Sequence, residues 1–213
     1  MSNIELINIA KIYNKNKRNE RTIFTDFNLK INQGEYIAII GRSGCGKSTL
    51  LNIIGQIDGI DSGKYLYNNV DISVAKDKEK AKFRANEVGF IFQDFALLEK
   101  ETVESNLRIA KYLNNNKEQE DIDSILNALD IKSLLKVKCS KLSGGEKQRV
   151  AIARSLINSP SIILADELTG SLDSDNALVV MDILDSIHKQ GKTIIMVTHD
   201  KETAKRADRI IEL

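Results

Sequence analysis

Cysteine, histidine, proline and tryptophan are scarce in this sequence of 213 residues. Its two cysteines are Cys45 and Cys139, its two histidines are His188 and His199, and it contains one proline and no tryptophan. Cysteines without CxxC spacing, accompanied by so few histidines, cannot assemble a zinc cluster from these residue types. We therefore expect free thiols in a reducing cytosol, and chemistry carried by other side chains or by a bound ligand.

The chain also lacks an excess of charge and long apolar runs. Its 31 Lys+Arg against 30 Asp+Glu give a net charge of +1, which argues against a broad basic surface and a nucleic-acid partner. Its apolar runs fall short of the roughly 18 residues that a membrane helix needs, so we expect no direct membrane insertion. The first residues lack the pattern of a signal peptide. Any membrane role is expected to come through a partner.

Strand-like and helix-like patterns alternate along most of the chain. Short apolar or alternating runs predict strands at 4–9, 22–31, 35–40, 65–72, 88–93, 161–165 and 193–197. Helical spacing predicts helices at 49–57, 76–87, 103–113, 121–129, 146–158 and 176–189, with the polar run 114–121 as a solvated connection. The alternation favours a mostly parallel sheet with right-handed crossovers, into which the helix-rich segment from 95 to 158 is inserted.

A glycine-rich segment between a predicted strand and a predicted helix matches the pattern G-x-x-x-x-G-K-[ST]. Its glycines let the backbone curl so that successive N–H groups point at phosphate oxygens, and the following helix start adds partial positive charge. Lys47 is placed for the β- and γ-phosphates, and the Ser48 hydroxyl for Mg²⁺. The sequence therefore predicts a phosphate-binding loop made of Gly41, Arg42, Ser43, Gly44, Cys45, Gly46, Lys47, Ser48 and Thr49.

Two adjacent carboxylates follow the apolar strand predicted at 161–165. Neighbouring residues of an extended strand point to opposite faces, so Asp166 and Glu167 can serve different purposes. We assign Asp166 to the metal, through water, and Glu167 to polarising the water that attacks the phosphate. Together with the loop, the pair predicts hydrolysis of a nucleoside triphosphate.

A third motif indicates which family of proteins this sequence resembles. The run from Leu142 to Arg149 reads LSGGEKQR, and its S-x-x-E pattern is typical of a helix capping box. This run resembles the signature sequence of ATP-binding cassette (ABC) ATPases, and the resemblance covers essentially the whole chain. It implies that ATP and Mg²⁺ are bound, and that two copies of the chain meet head to tail around two ATP molecules. The residues that would meet the partner's phosphates are Ser143, Gly144, Gly145 and Glu146.

Other positions match the remaining ABC motifs. Gln93 resembles the Q-loop glutamine, which implies roles in catalysis and in binding Mg²⁺. Asp173 resembles the D-loop aspartate of the dimer interface, and His199 the switch histidine that hydrogen-bonds the γ-phosphate or the water. Tyr13 stands where the family stacks an aromatic ring on adenine. From the residues alone, Tyr13 could also be a core tyrosine, Gln93 a strand-end cap and His199 a surface histidine.

The resemblance implies an α/β fold, with a P-loop NTPase (RecA-like) core, an antiparallel β subdomain and an inserted α-helical subdomain. We expect one domain over 1–213, its core with the β subdomain at 1–94 and 159–213, and its helical subdomain at 95–158. Leu168 stands where the family usually has proline, which leaves the stiffness of segment 167–173 open. Because the chain ends at Leu213, we expect no C-terminal regulatory domain.

The segments around these motifs resemble the branch of macrolide exporters and lipoprotein-release ATPases, and most of all bacteriocin or antimicrobial-peptide exporters. This implies a separate transmembrane permease as partner, and a cytoplasmic chain held at the inner face of the membrane through that permease. Phe95, Leu97 and Leu98 could line a groove that receives a permease helix, or could pack within the helical insertion.

Three functions other than export are alternatives for this sequence. A regulatory complex for peptide sensing or cell division would use a nearly identical ATPase, and the sequence does not separate it from export. A DNA-repair or chromosome-organising ATPase is disfavoured, because no long coiled coil separates Gly46 from Leu142. A module that only binds nucleotide is disfavoured because Glu167 and His199 are both intact.

Overall fold

The structure, a computed structural model, describes residues 2–112, 122–170 and 172–213. The polar run 114–121, the ends of the helices predicted beside it, and Ser171 lie outside the described residues. The strands are β1 (Ser2–Tyr13), β2 (Arg21–Asn32), β3 (Tyr36–Ile40), β4 (Ser62–Tyr67), β5 (Val70–Asp71), β6 (Val88–Ile91), β7 (Ile162–Asp166), β8 (Thr193–Val197) and β9 (Arg209–Glu212). The α-helices are α1 (Lys47–Ile54), α2 (Asp77–Glu87), α3 (Val103–Tyr112), α4 (Ile122–Ala128), α5 (Gly144–Leu156), α6 (Ser174–Lys189) and α7 (Lys201–Ala204).

One sheet is antiparallel, with strand order β2-β1-β4-β5. The single strand predicted at 65–72 is wrong, because the chain turns within it and forms the hairpin of β4 and β5. Asn68 and Asn69 make that turn in the left-handed conformation, with φ of 49° and 65°, which asparagine tolerates better than most residues. Strands β1 and β2 extend beyond their predicted ends and pair along nearly their whole length.

The other sheet is parallel, with strand order β6-β7-β8-β3-β9. Strands β3, β7 and β8 are buried almost throughout, as parallel strands covered on both faces are. The carboxyl ends of β3 and β7 lie at the same edge of this sheet, because all its strands run in one direction. The phosphate loop follows β3 and the two carboxylates stand at the end of β7, so the sheet brings both motifs to one edge.

The core divides between the two faces of the parallel sheet. Ile37 and Ile39 point to the face covered by α1 and the antiparallel sheet, whereas Tyr36 and Ala38 point to the face covered by α5 and α6. This alternation follows from the two-residue period of a strand. The predicted α/β fold with an antiparallel sheet and an inserted helical segment is confirmed, and the residue limits of the subdomains stay a prediction.

Two further features concern segments outside the sheets. Two short 3-10 helices, Lys132–Leu134 and Cys139–Lys141, precede the signature run. Within the described ranges, none of the helices has the length and apolar character of a membrane span.

Candidate nucleotide-hydrolysis site

The phosphate loop joins the end of β3 to α1, which begins at Lys47 rather than at residue 49 as predicted. Gly44 and Gly46 have φ of 77° and 109°, a region that other residues rarely adopt. A Cβ on Gly46 would lie 2.6 Å from Ile23 Cγ2, so the loop is also closely packed from outside. Gly46 caps α1 without a side-chain hydrogen bond, which leaves the first N–H groups of the helix for an anion.

Lys47 stands near the end of this loop, as the first residue of α1, and is 7% exposed. Its Nζ donates hydrogen bonds to the carbonyl oxygens of Gly41 and Arg42, at 2.9 and 3.1 Å. These two bonds hold the ammonium group against the backbone of the loop. Because carbonyl groups carry no net charge, its positive charge is available to neutralise a phosphate.

Asp166 ends β7 and accepts a hydrogen bond from the Ser48 hydroxyl. One of its carboxylate oxygens, Oδ1, is buried and has no hydrogen-bond partner among the described residues. Burial raises the pKa of Asp166, and the nearby Glu167 adds to this effect, while the Ser48 bond and Lys47 oppose it. An unpartnered buried carboxylate oxygen beside a hydroxyl is a donor set that suits Mg²⁺.

Glu167 follows the strand in the left-handed conformation, with φ of 45°, and its N–H donates to the Val197 carbonyl at 3.0 Å. The sequence predicts extended backbone for both acids, which is wrong for Glu167 because β7 ends one residue earlier. The two acids are nonetheless differently placed. Glu167 Oε2 lies 3.3 Å from Nδ1 of His199, a side chain that is 66% exposed.

The open space beside these groups is a cleft of about 440 Å³. It is lined by residues of the phosphate loop together with Tyr13, Gln93 and Glu167, so the structure brings these predicted residues together. Leu168, in the place of the family's proline, is 3% exposed and packs in the core beneath the segment that follows Glu167.

Tyr13 is held in the cleft by residues that the sequence did not single out. Its hydroxyl donates to Asp58 Oδ2 at 2.5 Å, and Asp58 is ion-paired with Lys11 at 2.6 Å. The Lys11 ammonium also lies 4.7 Å from the centre of the Tyr13 ring. Burial and the bond to Asp58 raise the pKa of Tyr13. Burial opposes ionisation of Asp58, but the bonds from Lys11 and Tyr13 outweigh it and lower the pKa.

The signature residues stand apart from this cleft, at the start of α5. Ser143 caps the helix as predicted: its Oγ accepts from the Glu146 N–H at 3.3 Å, and its own N–H donates to Glu146 Oε2 at 2.7 Å. The backbone bond from Ser143 lowers the pKa of Glu146. Helix α5 begins at Gly144, two residues before the predicted start, because the capping box lies ahead of it.

Asp173 also stands outside the cleft and caps α6, its carboxylate accepting from the N–H of Asn176 at 2.9 Å. The Asn176 amide in turn donates to Asp173 at 2.8 Å. A Cβ on Gly145 would lie 2.2 Å from Asn176 Oδ1, so the starts of α5 and α6 are in direct contact. The signature residues and Asp173 of the D-loop motif therefore lie next to each other within one chain.

A phosphate loop at the carboxyl edge of a parallel sheet, with a half-buried acid beside its serine and a second acid beside a histidine, defines a P-loop nucleoside triphosphatase. The profile of the ABC transporter family matches residues 24–170. The chain belongs to this family. It is an ABC-type ATPase that binds ATP with Mg²⁺.

Relatives agree with this assignment over nearly the whole chain. An uncharacterised ABC transporter ATP-binding protein of Bacillus subtilis, YvrO, is 44% identical over 211 residues, covering 98% of this chain and 92% of that protein. The lipoprotein-releasing system ATP-binding protein LolD of Colwellia psychrerythraea is 40% identical, covering 91% of this chain and 77% of its own length. The macrolide export ATP-binding/permease protein MacB of Campylobacter fetus is 46% identical over 90% of this chain. The matched region makes up only 30% of the length of MacB.

A solved structure is also similar. The ATP-binding cassette MJ0796, in a dimeric post-hydrolysis state bound to ADP and phosphate, superposes with a TM-score of 0.89 at 35% identity, covering 99% of this chain and 94% of that one. The resemblance to the macrolide-export and lipoprotein-release branch is thereby confirmed.

Proposed function

We propose that this ATPase is the motor subunit of a transporter, in which a head-to-tail pair of these chains drives a separate membrane permease that exports a peptide, bacteriocin or other antimicrobial. The observation that supports it most is that the capped start of α5, which carries the signature residues, stands apart from the cleft lined by the phosphate loop and Glu167. The names of the relatives, which mention macrolide export and lipoprotein release, support transport in general.

The proposed reaction is the attack of water on the γ-phosphorus of ATP, with cleavage of its bond to the oxygen of ADP. Lys47 and the N–H groups of the loop bind the phosphates and neutralise their charge. Ser48, Asp166 and Gln93 would hold Mg²⁺, which would supply further neutralisation of the phosphate charge. Glu167 accepts the proton of the attacking water, and His199, beside it, hydrogen-bonds the γ-phosphate or the water.

The second copy follows from the position of the signature. Ser143 caps α5 outside the cleft, so the anion site formed by this helix start does not serve the chain's own ATP. A two-fold pair can place each signature against the phosphate loop of the partner. Asp173, in contact with the start of α5 through Asn176, is proposed to contribute to this interface.

Replacing Ser143 by arginine tests this arrangement. We expect Ser143→Arg to bind ATP as the native chain does, but to dimerise roughly tenfold more weakly, because its side chain fills the position of the partner's phosphate. Dimer fractions with ATP and Mg²⁺ are measured by light scattering, and ATP affinity by calorimetry. Ser124→Arg, an exposed serine on α4, is the matched control. Undiminished dimerisation of Ser143→Arg would place the interface elsewhere.

Without nucleotide, the native chain is expected to be a monomer, because each interface site then lacks the phosphates that join its two halves. ATP with Mg²⁺ favours the dimer by mass action. Sedimentation at several protein concentrations, with and without nucleotide, measures the change. A tight dimer in nucleotide-free buffer of low salt would contradict the sandwich.

The permease is proposed to dock beside the helical segment. A groove of about 820 Å³ lies between α2, β6 and α5, and Ala96 lines it. Of the three apolar residues predicted here, Phe95 and Leu97 pack against the core, whereas Leu98 is 49% exposed. Arg154 fixes the loop by donating to the carbonyl oxygens of Phe95 and Ala96. We place the chain in the cytoplasm, at the inner face of the membrane through this contact.

Purification from membranes tests the partner and separates export from the alternative of a peptide-sensing or cell-division regulatory complex. We expect a permease subunit to co-purify and to be identified by mass spectrometry. Loss of the complex on Leu98→Asp, with ATPase activity of the isolated chain kept, supports docking at the exposed loop that follows Ala96. ATP-dependent uptake of a peptide by inside-out vesicles that contain the complex identifies an exporter. A complex that signals without moving a peptide favours the alternative.

A further inference from the structure

Among the described residues, two cations line the nucleotide cleft, and only one of them has a role in the reaction above. Lys47 belongs to the phosphate loop, and Arg21 stands at the start of β2. Neither is ion-paired with a carboxylate among the described residues: Lys47 bonds two carbonyl oxygens, and Arg21 bonds one. The cleft therefore holds a second positive charge that the reaction leaves unused.

Arg21 is positioned by the antiparallel sheet and by the phosphate loop together. It is the direct cross-strand partner of Tyr13 in the β1–β2 pair, so the two side chains leave the same face of the sheet. From there its Nη2 reaches the Gly44 carbonyl oxygen at 2.5 Å. A guanidinium carries five N–H donors, so one bond to Gly44 leaves donors for a ligand.

The acids near Arg21 are engaged elsewhere. Glu20, its neighbour in sequence, accepts a hydrogen bond from the Asn16 N–H at 2.6 Å. Asp58, which holds Tyr13, is neutralised by Lys11. Glu167 lies beside His199. An anion that enters the cleft thus meets the Arg21 charge without having to displace a carboxylate.

We propose that Arg21 is a further nucleotide-binding residue, which binds the α-phosphate of ATP and ADP. The inference rests on the proposed binding mode, with adenine at Tyr13 and the β- and γ-phosphates at Lys47. Arg21 lies between these two ends, because its backbone pairs with Tyr13 and its guanidinium contacts the phosphate loop at Gly44. The α-phosphate occupies that interval of the nucleotide, and a guanidinium binds phosphate oxygens with parallel N–H bonds.

Calorimetric titration of the full chain with ADP and with adenosine tests this role, since neither ligand is hydrolysed. Arg21→Gln is expected to raise the Kd for ADP by roughly 3- to 10-fold, the effect of a charge-assisted contact at an exposed position. Adenosine has no phosphate, so its Kd is expected to change by less than about 2-fold. Arg21→Lys keeps the charge but not the planar donors, so its Kd for ADP is expected to lie between those of the native chain and Arg21→Gln.

Arg18→Gln is the matched control, because it removes the same charge from an exposed arginine in the β1–β2 turn, outside the cleft. Melting temperatures without nucleotide check that each variant is folded. The inference is overturned if Arg21→Gln weakens ADP no more than Arg18→Gln does, or if it weakens adenosine as much as ADP. Lys47→Ala is titrated with ADP in parallel. If Lys47→Ala loses ADP affinity while Arg21→Gln keeps it, the Arg21 inference alone is rejected. If Lys47→Ala keeps its ADP affinity, the binding mode itself is rejected.

Discussion

In the variant Glu167→Gln, ATP hydrolysis is expected to fall by on the order of 10²–10⁴-fold while ATP affinity is kept. The amide has nearly the shape of the carboxylate but cannot accept the proton of the attacking water. Because a negative charge beside the γ-phosphate is also removed, the ATP-bound dimer is expected to accumulate, where the native chain returns to monomer. Release of phosphate measures the first effect, and size-exclusion chromatography with ATP and Mg²⁺ measures the second.

Glu202→Gln serves as the control for this variant, since Glu202 is an exposed carboxylate on α7, shortly after His199. It is expected to hydrolyse ATP at the native rate. Near-native hydrolysis in Glu167→Gln would show that Glu167 is not the base, and the role would then pass to His199. That outcome would leave the binding of ATP and the fold assignment untouched.

Lys47→Ala is expected to act one step earlier, on nucleotide binding itself. We expect the Kd for ATP to rise by roughly 10- to 100-fold, as loss of charged hydrogen bonds worth about 1.5–3 kcal/mol predicts. The carbonyl groups of Gly41 and Arg42 also lose their partner, so part of the effect comes from a less ordered loop. Calorimetry gives the Kd, and ATP-dependent dimerisation is expected to disappear in parallel.

The exposed lysine of β2 provides the comparison: Lys30→Ala removes the same charge far from the loop and is expected to bind ATP normally. If Lys47→Ala kept its ATP affinity and lost only turnover, the ammonium would act in the transition state alone. The ground-state neutralisation proposed above would then be wrong.

The sequence predicts the parts of this fold whose causes are local. The sequence predicts strand β8 with its observed limits because an uninterrupted apolar run is a strong signal for a buried strand. The phosphate loop carries its own chemistry in its glycines and lysine. By contrast, the turn at Asn68 and Asn69 was missed within an otherwise strand-like run. Strand β9 was not predicted either, since its four residues pair with β3 only after the sheet has assembled.

For the site as well, the sequence predicts the residues that belong to local motifs but not those placed by distant contacts. Every motif residue named for the cleft lies at the carboxyl edge of the parallel sheet or in the loop there, apart from Tyr13 on β1. Asp58 and Arg21 had no motif to mark them, because they reach the cleft through contacts with residues 45 and 23 positions away. Such placement depends on the register of β1 with β2 and on the path of the chain after α1. No local pattern encodes it.

Tyr13 and Lys47 are joined to different sheets, and this separation has a thermodynamic consequence. Tyr13 ends β1 of the antiparallel sheet, whereas Lys47 follows β3 of the parallel one. A nucleotide bound at both would act as a strut between the sheets and would stabilise only the folded chain. By linkage, each tenfold rise of free nucleotide above its Kd adds about 1.4 kcal/mol to the free energy of unfolding. The stability of the folded chain is then coupled to the concentration of free nucleotide around it, so that removing nucleotide would lower the melting temperature of the whole chain and not only empty the cleft.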